Sequence, residues 1–194
     1  MKAMLAALMI SFSVSGAAMQ APDAQALFAQ GVTYDAFLEN ATAQKATWQA
    51  NTARATVAPE VVDRFKKSAS GLSLLVIAEA ACSDSVQTVP YVAKLASLAG
   101  VELRIVGKAA GQAILDQHKS PDNRAATPTI VLLRDGKDAG AFVERPVTLQ
   151  TWMIGIAQAL TQQERLSRKT AWYDWDRGDS TVAEVVALAE KTAK

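Results

Sequence analysis

Cys82 is the only cysteine in a chain of 194 residues. It stands in "EAACSDSVQTVPYVAKLASLAG", residues 79–100, where an apolar run hands over to a helical pattern. A sulfur in the first turn of a helix meets unpaired backbone N–H groups and the positive end of the helix dipole, which favour the nucleophilic thiolate. Asp84, two residues on, opposes this by like-charge repulsion while suiting the helix N-terminus itself. Ser85 lies three residues along, on the same helical face, so its hydroxyl can donate a hydrogen bond to the sulfur. It cannot attack a mixed disulfide. The chemistry open to this spacing is monothiol exchange, capture of a partner cysteine, or oxidation to a sulfenic acid, with release by a second thiol from outside. The competing reading is structural, because free cysteine is among the most buried residue types and packs as a small hydrophobe.

Other chemistry is thinly represented. One cysteine excludes an intramolecular disulfide, and with a single histidine, His118, it leaves no ligand set for zinc or an iron–sulfur cluster. No metal and no cofactor is expected. His118 reads as a solvated residue at a helix end, and Glu79 as a rim carboxylate or a proton acceptor below the sulfur. Twenty basic residues against nineteen acidic ones, without long runs of either sign, exclude nucleic acid or an anionic membrane as an electrostatic partner.

The elements that must position Cys82 follow from periodicity. Residues 23–70 read as two to four short helices, with starts at Thr33 and Pro59. "GLSLLVIA", 71–78, is the continuous apolar run of a central strand buried on both faces. Residues 83–98 follow at helical spacing, stopped by Gly100 and predicted to kink at Pro90. "VELRIV" alternates as a strand, "AAGQAILDQHK" is a short helix, and "IVLLRDGKDAGAFVER" is a hairpin around Asp135-Gly136. Strand, helix, strand calls for a parallel pair, and the hairpin makes the sheet mixed. Residues 148–163 read as one amphipathic helix with Leu149, Trp152, Ile156 and Leu160 on one face. The stretch "AWYDWDRGD" then seats a last helix on the core through Trp172, Tyr173 and Trp175, Trp172 being expected to contribute to stability, with Asp179 or Ser180 as its N-cap.

This order of elements resembles the thioredoxin fold. In "LLVIAEAACSDSVQTVPYVAKLA", "ILDQHKSPDNRAATPTIVLL" and "AWYDWDRGDSTVAEVVALAEK" the chain resembles, over roughly residues 25–192, a family of bacterial thioredoxin-like proteins. In that family a Trp-Cys-Gly-Asp type motif replaces Cys-Gly-Pro-Cys, and here the motif is a single-cysteine Cys-Ser-Asp-Ser variant. The resemblance implies an α/β fold with a central mixed sheet flanked by helices, extra N-terminal helices and a C-terminal helix. It makes Cys82 the nucleophile, with Ser85 in the place of the resolving cysteine and Glu79 as the acidic residue shortly before it. Pro128, in Thr127-Pro128-Thr129, matches the cis-proline facing the active-site loop; Thr127, Pro128 and Asp84 are the candidate substrate-binding residues. Ala81 stands where the family has tryptophan and Ala80 where an acidic residue is common, which opens the space beside the sulfur. Two functions are compatible with these residues: thiol–disulfide exchange or thiol sensing through mixed disulfides at Cys82, or a redox-inactive module holding an extended peptide beside Pro128. The expected partners are protein or low-molecular-weight thiols and disulfides, including a disulfide-linked second copy.

Residues 1–18, "MKAMLAALMISFSVSGAA", have the early lysine, apolar stretch and small residues of a secretory signal peptide. That reading places the protein in the periplasm or outside the cell, without stable membrane insertion after cleavage; a start at Met19 would make it cytoplasmic. The expected organisation is a signal peptide over 1–18, a helical extension over 19–70, a thioredoxin-like core over 71–163 and a packed C-terminal helical extension over 164–194.

Overall fold

A computed structural model describes residues 23–193; the expected signal peptide lies outside the described residues. The apolar run forms β1 (Leu72–Ile77) at the centre of a four-stranded sheet. Its neighbours are β2 (Glu102–Val106), parallel to it, and β3 (Thr129–Arg134), antiparallel. The antiparallel β4 (Lys137–Val143) completes the order β2-β1-β3-β4. Leu74 and Val76 point into one core and Leu75 and Ile77 into another on the opposite face, which is why β1 carries no alternation. The β3–β4 turn is Asp135-Gly136 with φ of 50° and 76°, the two positive angles that a two-residue hairpin needs.

Among the described residues four helices precede the sheet: α1 (Ala24–Gln30), α2 (Tyr34–Glu39), α3 (Lys45–Arg54) and α4 (Pro59–Lys67). Thr33 caps α2 by accepting the Ala36 N–H at 3.3 Å, and Pro59 opens α4. Trp48 of α3 and Phe65 of α4 are fully buried in the same core as Leu74 and Val76. Helix α5 (Ser85–Ala99) connects β1 to β2, and α6 (Lys108–Gln117) packs Ile114 and Leu115 on the other face. Among the described residues no helix is long and apolar enough to cross a membrane.

Pro90 lies inside α5, where it has no N–H for the Val86 carbonyl. The orphan is taken by another helix: buried Asn51 of α3 donates from Nδ2 to Val86 O at 2.7 Å and to Gln87 Oε1 at 3.1 Å. The irregularity created by Pro90 is thereby a joint between the N-terminal helices and the helix that follows Cys82.

The end of the chain differs from expectation in three respects. The single helix expected over 148–163 is broken: α7 (Val147–Ile154) stops at Gly155, and a short 3-10 helix (Ile156–Ala159) follows. Ile156 is left 75% exposed instead of facing the core with Leu149. The aromatic stretch is not a connector but the end of α8 (Gln162–Asp176), opened by a reciprocal Thr161–Glu164 capping box. Buried Tyr173, not half-exposed Trp172, is its core anchor. The cap of α9 (Asp179–Thr192) is Gly178 at φ 82°, where a Cβ would lie 2.2 Å from Tyr91 Cγ. Asp176 serves the new helix by accepting the Ser180 N–H at 3.2 Å.

Removing the Asn51 amide strips the Val86 carbonyl of its partner in a buried setting. Asn51→Ala is expected to lower stability by about 1–3 kcal/mol, read from urea unfolding; an unchanged midpoint would show that α5 closes the gap without α3.

Candidate functional site

Cys82 sits in the loop between β1 and α5, with its N–H bonded to Glu79 O at 3.0 Å and its carbonyl accepting from Val86 N at 3.1 Å. The backbone thus begins to coil at Cys82, three residues before the first regular position of α5. Sγ accepts the Ser85 N–H at 3.4 Å, the bond a capping side chain makes three residues along. It also donates to the Thr127 carbonyl at 3.1 Å. The Thr127–Pro128 peptide bond is cis. The side chain of Cys82 is half-buried, between exposed Ala81 and exposed Ser83.

The structure therefore brings Cys82, Ser85, Thr127 and Pro128 together, with one change of atom. Ser85 approaches the sulfur through its main-chain N–H, whereas its Oγ is buried without a hydrogen-bond partner among the described residues. The hydroxyl-to-sulfur bond expected from the spacing is replaced by a backbone one. Glu79 is engaged elsewhere: its Oε1 accepts the Lys108 N–H at 2.6 Å and closes the N-terminus of α6. His118 ends α6 and bonds Asp138 Oδ2 through Nε2 at 2.5 Å.

Asp84 points inward. Its Oδ2 accepts from Arg145 Nη2 at 3.1 Å and Lys169 Nζ at 3.0 Å, and its Oδ1 from the Tyr173 hydroxyl at 2.8 Å. Lys169 also donates to Ser83 Oγ at 2.8 Å. Arg145 pairs with the neighbouring carboxylate of Glu144, which receives Arg124 Nη2 at 2.7 Å. Arg124 in turn holds the Asp122 carboxyl down to about 2. Three acids and three bases thus alternate in one neutral cluster, an arrangement that offsets the desolvation of its buried members. The Glu144 N–H donates to Pro128 O at 2.7 Å, so the same cluster grips the cis-proline loop. Both walls beside the sulfur are held from one set of charges.

Sequence reasoning did not find Arg145, Lys169, Tyr173 or Glu144 as supports of the cysteine loop. They lie 60 or more residues from Asp84, as the pairings with Arg145 at a separation of 61 and Tyr173 at 89 illustrate. Nothing within a few residues of Asp84 signals these partners. Trp48 and Gln44 were missed as well: their Nε1 and Nε2 donate to the Ala80 carbonyl at 3.0 and 3.3 Å, steadying the loop where Ala80 and Ala81 replace larger residues. A cleft of about 380 Å³ lies between α2, α3 and α5, lined by Tyr34, Thr52, Lys94 and Leu103 among others, and none of the site residues borders it. Among the described residues no group of three metal-ligating side chains occurs.

A half-buried thiol ahead of a helix, opposite a cis-proline loop on a mixed four-stranded sheet, is the arrangement of a thioredoxin-like α/β protein. The thioredoxin family model matches residues 31–165, more than half of the chain, and the chain belongs to that family. It is similar to the crystal structure of a protein of unknown function from Pseudomonas aeruginosa, with 24% identity, 85% of this chain and 95% of that one covered and a TM-score of 0.64. It is also similar to an HIV epitope-scaffold, with 22% identity, 86% and 96% coverage and a TM-score of 0.63. At these identities both show the fold alone. No curated protein matches the chain.

Burial, reinforced by the adjacent Asp84, pushes the Tyr173 hydroxyl well above its usual 10.0. Below that pH the phenol is neutral folded or unfolded and its contribution is fully present; above it the unfolded chain ionises first and the contribution is lost. Tyr173→Phe is expected to cost about 1.5–3 kcal/mol at pH 7, as loss of a hydrogen bond to a charged group does. It should also flatten the decline of stability above about pH 10. Denaturant unfolding of both proteins between pH 7 and 11 checks both expectations.

Proposed function

We propose that this thioredoxin-family chain works through a single thiol, Cys82, in thiol–disulfide exchange or thiol sensing by way of mixed disulfides. The observation that carries the reading is the position of Sγ, held 3.4 Å from the Ser85 N–H and 3.1 Å from Thr127 O beside the cis-proline. The Ser85 N–H is a fixed donor that stays in place as the sulfur loses its proton. Attack by the Cys82 thiolate forms one S–S bond and breaks the partner's; the departing sulfur leaves with the electron pair and takes a proton from solvent. No second cysteine exists in the chain to complete the cycle, so a protein or low-molecular-weight thiol from outside must release the mixed disulfide. A second copy of the chain is one such partner, giving a disulfide-linked dimer. The exposed flanks Ala81 and Ser83 support access.

Iodoacetamide treatment of the folded protein at neutral pH is expected to add one adduct, at Cys82, before unfolding. Cys82→Ser should abolish disulfide-linked partner capture. A thiol that reacts only after denaturation, or capture that survives Cys82→Ser, favours the redox-inactive binding module instead. Export to the periplasm or beyond belongs to the same proposal, motivated by residues 1–18. The protein recovered from the periplasmic or extracellular fraction of its native host should by intact mass lack that segment, whereas a chain beginning at Met1, or one confined to the cytoplasmic fraction, would refute export with cleavage.

A further inference from the structure

We propose that the outward stripe of α8, formed by Arg165, Arg168, Trp172 and Trp175, docks an acidic, aliphatic segment of a protein partner beside Cys82. This rests on the thiol-exchange reading and specifies the partner it serves. Positions 165, 168, 172 and 175 follow helical spacing and share one face. The adjoining face carries Lys169 and Tyr173, which hold Asp84 and Ser83 next to the sulfur. One helix therefore supports the cysteine loop on one side and presents a surface on the other.

That surface is apolar and aromatic to a degree a solvated face does not require. Three of the chain's four tryptophans lie on or beside it. Trp175 is 78% exposed, with its ring 6.4 Å from that of Trp172. Between Trp172 and Trp152 of α7 runs a shallow cleft of about 190 Å³, floored by Leu149 and edged by Arg168. Exposed aromatic patches of this kind mark interaction sites, and Trp with Arg dominates binding energy where partners meet.

Charge selects the occupant. Asp174 is paired with Arg54 at 3.0 Å, Lys169 is held by Asp84, and Glu164 is committed to the Thr161 cap. Among the described residues neither Arg165 nor Arg168 forms an ion pair within 4 Å; Arg168 feels the charge of Glu164 one turn earlier without direct contact, so both guanidinium groups keep donors for a partner. Carboxylates on the partner answer these, and aliphatic side chains answer the cleft. Lipid-headgroup recognition relies on clusters of about four to eight basic residues, more than this surface supplies. A partner segment lying along α8 passes near the cysteine loop, because Lys169 of the adjoining face reaches Ser83, the residue next to Cys82, at 2.8 Å.

The test is fluorescence anisotropy with two cysteine-free, fluorescein-labelled peptides, one of leucine and glutamate and one of leucine and lysine. The glutamate peptide is expected to bind about tenfold tighter or more, and R165E/R168E to reverse the preference, as like-charge contacts do. Trp175→Ala, at an exposed position, should weaken binding of the glutamate peptide several-fold with an unchanged melting temperature, and decides the matter if the double variant does not fold. Equal binding of the two peptides, or indifference to both variants, overturns the proposal. So does binding to phosphatidylglycerol vesicles without binding to the glutamate peptide, which would make the stripe a membrane contact. Cys82→Ser should bind the peptide as wild type does, so an unreactive thiol defeats the exchange reading without touching this result.

Discussion

The buried carboxylate of Asp84 is the interaction on which the cysteine site depends. It lies two residues from the sulfur and receives three donors from two distant parts of the chain, Arg145 after β4 and Lys169 and Tyr173 on α8. A carboxylate placed there alone would carry a desolvation penalty that folding could not absorb; matched with cations and a hydroxyl it becomes a fixed point. Because Arg145 also pairs with Glu144, whose N–H holds Pro128 O, displacement of the cysteine loop would disturb the cis-proline loop as well. The two walls that flank Sγ are tied to one cluster of charges.

A second constraint comes from Pro90. A proline in a helix leaves a carbonyl without its donor, and in a buried helix that defect must be met by another group. Asn51 meets it from α3, while Trp48, one turn earlier on α3, donates to Ala80 O just ahead of the cysteine. With Gln44, which also donates to Ala80 O, the N-terminal segment thus contributes to the site through three hydrogen bonds to its backbone and none to its sulfur. The region where Ala80 and Ala81 stand is steadied from α3, and the sulfur keeps an open flank.

Helix α8 combines these themes. Its inward positions are polar because they reach under the cysteine loop, and its outward positions are aromatic and basic. That inversion of the usual amphipathic pattern makes its role hard to assign from hydropathy.

Much of the architecture was legible in the sequence, and for local reasons. The unbroken apolar run of β1, the Asp135-Gly136 turn, the Thr33 cap and Pro59 at a helix start are each decided within a few residues by burial on both faces, positive φ or capping. The thiol at a strand-to-helix junction was legible in the same way, whereas the proline facing it came from the resemblance to thioredoxin-like proteins. Where contacts remote in sequence decide, that reading stopped. The break at Gly155, the start of α9 at Asp179 and the choice of Tyr173 over Trp172 as anchor depend on what each segment packs against. The same holds for the Ser85 hydroxyl, displaced from the sulfur by its own N–H, and for Asp84, turned from a surface acid into a buried hub by Arg145 and Lys169. Residue types and spacing determined that one thiol would stand at a helix start. Only the tertiary structure decided which charges surround it, because a charge is stabilised by its neighbours in space and those neighbours lie 60 or more residues away.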